Sequence, residues 1–313
     1  TPLRRWMLDS IPLNLRIAMG AGVGLFIGFI GLKNGGIIVA NGATFLTLGD
    51  FTEPSTLLAG LGFLLISILA VRNIPGAIII GILSITLVSF LLNLIEFNGV
   101  FAMPPDISPV LFKLDIIGAL DIAMLSIIFS FLFVNLFDTA GTLFGVATRA
   151  KLIEDSGEIK DLDKALKTDS GSSVFGSFLG CAPVTSYVES SAGIEAGGRT
   201  GLTAVVVGVL FLLSTFLSPL AAVIPTYATA GALIYVAILM LSGMESLNWE
   251  DRSELLPALI IIVMIPLTFS IADGIALGFL AYVAIKIFVG EIKNISSGAW
   301  FLTFIFLAKF IFL

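Results

Sequence analysis

Ser126-Ile-Ile-Phe-Ser-Phe-Leu-Phe-Val-Asn135-Leu-Phe-Asp138-Thr-Ala-Gly-Thr142-Leu-Phe144 places one acid deep in an otherwise apolar run. An ionised carboxylate at the centre of a bilayer costs about 2.5–3.5 kcal/mol even on insertion scales, so an acid kept there faces the interior of a helix bundle. Asn135 and Thr142 stand at i−3 and i+4 from Asp138, and on a helix the three share a face. The stretch reads as a membrane helix with a polar stripe turned toward a ligand or a proton.

The surrounding run extends from Ile116 to Thr148, long enough for a spanning helix, which needs about 20 apolar residues. Eight more runs of that kind follow from the sequence: Leu15 to Leu32, Thr56 to Val71, Pro75 to Ile95, Leu202 to Ile224, Tyr227 to Leu241, Leu255 to Ser270, Ile271 to Val289 and Ala299 to Leu313. Composition agrees. Of 313 residues 58% are hydrophobic and 12% charged, with a mean hydropathy of +1.10, which excludes a water-soluble globule. The net charge of −6, without a basic cluster, argues against a nucleic-acid partner. The absence of His removes the usual metal ligand and proton carrier, so neither a metal nor a cofactor is expected. Cys181 alone excludes an internal disulfide. The chain opens Thr1-Pro-Leu-Arg-Arg, without the pattern of a secretory signal, and is read as a piece of a longer polypeptide.

Lys and Arg concentrate in cytoplasmic loops. With the first span entering from the cytoplasm, Arg4, Arg5, Arg16, Arg72, Arg149, Lys151, Lys160, Lys164, Lys167, Arg199 and Arg252 are placed inside, and Lys33, Lys113, Lys286 and Lys293 outside. The stretch from Leu57 to Gly76 also lines up with that from Leu255 to Gly274 at a constant offset, and Ala21-Gly22 can be laid on Ala230-Gly231. An odd number of crossings separates the copies, so the repeat is expected to be inverted, as in many secondary transporters. The second copy then implies about four spans before Thr1.

Arg149 to Lys167 is the one sizeable charged segment, read as a solvated connector with a surface helix carrying Ile159, Leu162 and Leu166. Beyond it, Thr168 to Arg199 is broken by Gly, Ser, Thr and Pro183. If Gly180-Cys-Ala-Pro183-Val-Thr185-Ser-Tyr187-Val-Glu189 is extended, Thr185, Tyr187 and Glu189 face one side. Ser190-Ser-Ala-Gly193 then opens a half-helix. Broken backbone at membrane depth is tolerated where it is buried or lines a cavity, so an acid there reads as part of a binding site. Gly197-Gly-Arg199-Thr-Gly201 reads as a turn launching the next helix. Asp121 lies about 25 Å from Asp138 along an ideal helix, and Asp273, Glu245 and Glu195 lie near helix ends or breaks and are read as structural.

Phe137-Asp138-Thr-Ala-Gly141-Thr142-Leu143, with Thr185-Ser-Tyr187-Val-Glu189-Ser190-Ser-Ala-Gly193 and Gly197-Gly-Arg199-Thr-Gly201-Leu-Thr203, closely resembles the adenine/guanine/hypoxanthine permeases. These are nucleobase and proton symporters of the xanthine/uracil permease superfamily. The resemblance runs over essentially the whole chain. It implies an all-α polytopic membrane protein, an inverted-repeat transporter of the uracil-permease type with core and gate domains and a short strand in a broken helix. About ten of fourteen segments are then present, with 1–115 as gate segments five to seven, 116–225 as core segments eight to eleven, and 226–313 as gate segments twelve to fourteen.

By that likeness Glu189 and Asp138 serve substrate binding and proton coupling, in roles the sequence leaves exchangeable, and Asn135, Thr185, Ser186, Tyr187 and Ser190 line the purine site. The expected function is proton-coupled uptake of purine nucleobases by alternating access at the plasma membrane, with the proton as coupling ion and no catalytic residue. The expected partners are the purine, the bilayer and, as a candidate, a second copy of the chain. Two departures matter: Asn135 stands where the family commonly has Asp, and Cys181, Ala182 and Pro183 stand where it has small hydroxyl residues. Asn135 can hydrogen-bond a purine but does not titrate. The alternatives are a same-fold transporter of xanthine, uracil or an anion, and a membrane receptor or scaffold. A membrane enzyme is disfavoured, because no nucleophile is paired with a base.

Overall fold

The computed structural model describes residues 11–97, 99–121, 124, 127–128, 131–132, 135, 139, 142–143, 146–147, 150–152, 159–187, 190–195 and 197–312. In chain order the elements are α1 (Leu13–Asn34), the hairpin β1 (Ile38–Asn41) and β2 (Phe45–Leu48), α2 (Pro54–Val71), α3 (Ala77–Leu91), α4 (Ile116–Ala119), α5 (Leu162–Phe178), α6 (Ser190–Glu195), α7 (Gly201–Ser214), α8 (Ser218–Ala222), α9 (Thr226–Leu241), α10 (Arg252–Thr268), α11 (Ile271–Phe288) and α12 (Ser297–Phe312). The described residues from 124 to 150 are helical. Among the described residues, five stretches are long and apolar enough to cross a bilayer: Leu13–Asn34, Pro54–Val71, Gly201–Ala222, Thr226–Ser246 and Ile271–Phe288. The chain divides into two compact units, one of residues 1–20, 105–207 and 246–313, the other of residues 21–104 and 208–245.

In the second unit, glycine decides which helices touch. Without a hydrophobic force between helices in lipid, close packing needs small residues at the contact. Gly24, Gly28 and Gly31 of α1 face Met240, Ala237 and Leu233 of α9 so closely that a methyl on any of them would collide. Gly231 of α9 lies on the backbone of α2, where an added Cβ would stand 2.5 Å from the Phe63 nitrogen. α2 and α3 interlock through Gly62 against Ile85 and Gly81 against Ile66. Leu58, Ile85 and Ala228 form a buried cluster among α2, α3 and α9, with Ile224 and Tyr227 packed against it.

In the first unit, α10 and α11 form a tight hairpin. Asp251 caps α10 by accepting from the Ser253 N–H at 2.9 Å, and Ser270 caps α11 by accepting from the Asp273 N–H at 3.2 Å. Only Phe269 and Ser270 separate the two helices, and Phe269 turns the chain at φ 54°. Gly274 packs on Ile265 and Gly278 on Ile261. The start of α1 is pinned to this unit, since the Asn248 N–H donates to Asn14 Oδ1 at 2.9 Å.

The hairpin corrects one sequence expectation. Hydrogen bonds from Ser253, aided by the nearby Lys286 charge, hold the Asp251 carboxyl below its ordinary value. Lys286 therefore stands at the Arg252 end of the hairpin, on the same side as Arg252 rather than opposite it. The repeat also diverges at its turn: Gly76 is a left-handed N-cap at φ 76° before α3, whereas Gly274 lies inside α11. At the same offset α3 overlies the length of α11, which starts four residues earlier.

Elsewhere the helix expected from Ile116 to Thr148 is broken. Asp115 caps the single turn α4 by accepting from the Gly118 N–H at 2.8 Å, and residues 120–121 are not helical. The charged connector ends sooner than expected. α5 begins at Leu162, and its Leu166, Asp169 and Gly176 are buried at spacings of 3 and 7, so the end of that segment is packed rather than surface-bound.

Lys286 is buried and donates to Glu291 Oε2 at 2.6 Å, while Glu291 reaches solvent. That hydrogen bond, with a second from Asn294, holds the Glu291 carboxyl below its ordinary 4.5. A depressed folded-state value means that the pair's stabilisation is present above pH 4.5 and is lost as pH falls through the lowered value. Thermal unfolding in detergent is expected to show a stability loss below that pH, which Glu291→Gln flattens. Glu291→Ala removes the hydrogen-bonded partner of a buried cation, whereas Lys286→Met releases a carboxylate to water, so the first is expected to lower Tm more.

Candidate functional site

The interrupted region is built by two glycine-terminated helices. α5 ends at Gly180, which adopts φ 77°, with the Cys181 N–H bonded to the Gly176 carbonyl at 3.0 Å and the Gly180 N–H to that of Ser177 at 3.0 Å. These are the two bonds of a Schellman cap, and Pro183 then prevents the helix from resuming. α6 ends the same way at Gly197, φ 101°, with Gly198 N–H to Gly193 and Gly197 N–H to Ile194. Arg199 adds a bond from Nη1 to the Ile194 carbonyl at 2.7 Å. Between these caps residues 181–187 are neither helix nor strand.

One side chain replaces a sheet ladder here. The Ser173 hydroxyl of α5 donates to the Val184 carbonyl at 2.7 Å and accepts from the Val184 N–H at 3.1 Å. Both backbone groups of Val184 are thereby satisfied.

The next two residues meet the helix that carries Asn135. Thr139, fully buried, donates from its hydroxyl to Asp169 Oδ1 at 3.2 Å and lies 3.0 Å from the Thr185 hydroxyl. Either hydroxyl of the Thr139–Thr185 pair can be the donor. Thr142 repeats the logic one turn on, donating to the Thr139 carbonyl at 3.1 Å and lying 2.9 Å from the Ser186 hydroxyl. Either hydroxyl of the Thr142–Ser186 pair can be the donor. The result is two pairs of hydroxyls, one reaching the buried carboxylate of Asp169 through Thr139 and the other ending on the Thr139 carbonyl.

Of the expected site residues, the structure brings together Thr185 and Ser186, each half-buried, on the face that also carries half-buried Asn135. Because Thr185 and its immediate neighbour both reach this helix, the segment does not present strictly alternating faces. Tyr187 is exposed, as is Ser190 at the start of α6. Asp138 and Glu189 lie outside the described residues. Three participants were not anticipated: Thr139, Asp169 and Ser173. Thr139 sits at i+4 from Asn135, a signal present in the spacing, while Asp169 sits in a run of Lys, Asp and Ser that reads as solvated.

The Permease family of the xanthine/uracil permease type matches residues 1–277. The chain is 47% identical over 311 residues to the adenine permease AdeP of Escherichia coli (strain K12), covering 99% of this chain and 70% of that protein. It is 48% identical over 294 residues to adenine permease AdeQ of the same organism, covering 94% and 66%. It is 38% identical over 316 residues to the guanine/hypoxanthine permease PbuG of Bacillus subtilis (strain 168), covering 100% and 72%. The chain spans about two thirds to seven tenths of the length of these relatives. With a match of that extent and an all-α set of apolar helices, the chain belongs to the xanthine/uracil permease family of multi-pass membrane transporters, and not to a family of enzymes.

Proposed function

We propose that this chain takes up purine nucleobases by proton symport through alternating access. The observation that carries the reading is its near-full-length similarity to proteins named adenine and guanine/hypoxanthine permeases. The broken segment supports it chemically. A purine is flat, apolar on both faces and edged with N–H donors and N or O acceptors. Hydroxyl groups such as Thr185 and Ser186 can donate or accept, the Asn135 amide can do both, and a carboxylate accepts from ring N–H groups.

In this reading Glu189 grips the substrate and Asp138 carries the proton, since a desolvated carboxyl favours its neutral form. In a chain without His, intramembrane acids are the natural proton carriers. Residues 116–225 form the moving core and 1–115 with 226–313 the gate, rocking about a site near the midplane.

The test is uptake of labelled adenine, guanine and hypoxanthine by the full-length protein in vesicles, with and without an imposed proton gradient. Glu189→Gln is expected to abolish saturable binding as well as uptake. Asp138→Asn is expected to leave exchange of labelled for unlabelled purine while removing gradient-driven accumulation. Unchanged accumulation in both variants overturns the assignment, and competition by uracil, xanthine or sulfate in place of purines overturns the substrate class.

A further inference from the structure

Between α1 and α2 the chain carries no charge from Asn34 to Gly49, bracketed by Lys33 and Asp50. It folds there into the antiparallel hairpin of β1 and β2, pairing Ile38 with Leu48, Val39 with Thr47, Ala40 with Leu46 and Asn41 with Phe45. The pleat puts Ile38, Ala40, Leu46 and Leu48 on one face and Val39, Asn41, Phe45 and Thr47 on the other. The first face is wholly apolar. On it Leu48 is 71% exposed and Leu46 42%.

A lone two-stranded hairpin is marginal in water, so something must support this one. Its base is braced by protein. The Gly49 N–H donates to the Ile37 carbonyl at 3.0 Å, and a methyl on Gly49 would overlap the Gly36 carbonyl oxygen. Gly36, at φ 67°, lies against Thr56 of α2. The tip is closed by Asn41 Oδ1, which accepts from the N–H groups of Ala43 and Thr44 at 2.8 and 3.2 Å. The apolar face is thus presented by a held element.

Its surroundings indicate what covers it. The hairpin joins two helices long and apolar enough to span, so it lies at a membrane surface. Leu57, Leu61, Leu64 and Ile68 form an exposed stripe along α2 at spacings of 4, 3 and 4, and exposed Phe51 extends that apolar surface toward the hairpin. Unpaired strand edges are not tolerated in the hydrocarbon but are satisfied among headgroups and water. An element with one apolar face and open edges therefore fits the interfacial plane.

We propose that the hairpin rests in the headgroup layer of the membrane, with Ile38, Ala40, Leu46 and Leu48 turned into the acyl boundary as a lipid anchor. This does not depend on the transport reading. The test uses spin labels on the full-length protein in phosphatidylcholine/phosphatidylglycerol vesicles, in a Cys181→Ala background. Labels at Leu46→Cys and Leu48→Cys are expected to relax with oxygen as strongly as one at Leu61→Cys, and to resist a water-soluble nickel chelate that reaches Asp106→Cys. Nickel access equal to that at Asp106 overturns the proposal. So does shielding from both reagents, with or without the spin–spin broadening of a second copy, because protein then covers the face. Should the labelled variants not fold, Leu48→Trp adds emission that brominated lipid quenches if the anchor is real and leaves unquenched if it is not.

Discussion

Gly231→Leu is expected to destabilise the unit of α1, α2, α3 and α9 by about 3 kcal/mol or more, at the upper end of what overpacking costs. The reason is the partner it meets. A Cβ at position 231 points at the Phe63 nitrogen and the Gly62 carbonyl carbon of α2, at 2.5 and 2.8 Å, and backbone cannot change rotamer to make room. α9 and α2 must separate, and the cluster of Leu58, Ile85 and Ala228 opens with them. Gly60→Leu on α2 is the control, since a Cβ there meets nothing within 4 Å. Thermal unfolding of detergent-purified protein is expected to show a large drop in Tm for the first and little change for the second. Equal Tm values would mean that the two helices do not approach through Gly231.

Thr139→Val is expected to cost about 1–3 kcal/mol of stability, the penalty for stripping a buried polar group of a donor, together with most purine uptake. Valine matches threonine in shape, so packing is nearly unchanged while the hydroxyl that serves both Asp169 and Thr185 is gone. Thr139→Ser keeps the hydroxyl and is expected to retain uptake. A valine variant with normal KM and Tm would show that the Thr139 hydroxyl does not hold the broken segment.

The spanning helices were legible because run length alone identifies them: α1, α2, α9 and α11 begin and end within about two residues of the expected spans. The interruption at Pro183 was legible for a similar reason, since Gly and Pro act locally. Asp169 was not, because its burial comes from a helix and a loop distant in sequence converging on it, and no local pattern encodes that. The hairpin was hidden too. Its alternation is confined to four residues per strand, and the glycines at its base matter only through contacts with each other and with Thr56. Lys286 was misplaced by one crossing until the two-residue turn at Phe269 and Ser270 fixed the direction of α11.

Ser173 grips Val184 through a single oxygen atom. A ladder of backbone bonds needs a partner strand, whereas here one side-chain oxygen satisfies both backbone groups of a single residue. The stretch carrying Thr185 and Ser186 is therefore fastened residue by residue, by Ser173 at Val184 and by the Thr139 and Thr142 hydroxyls at the next two positions.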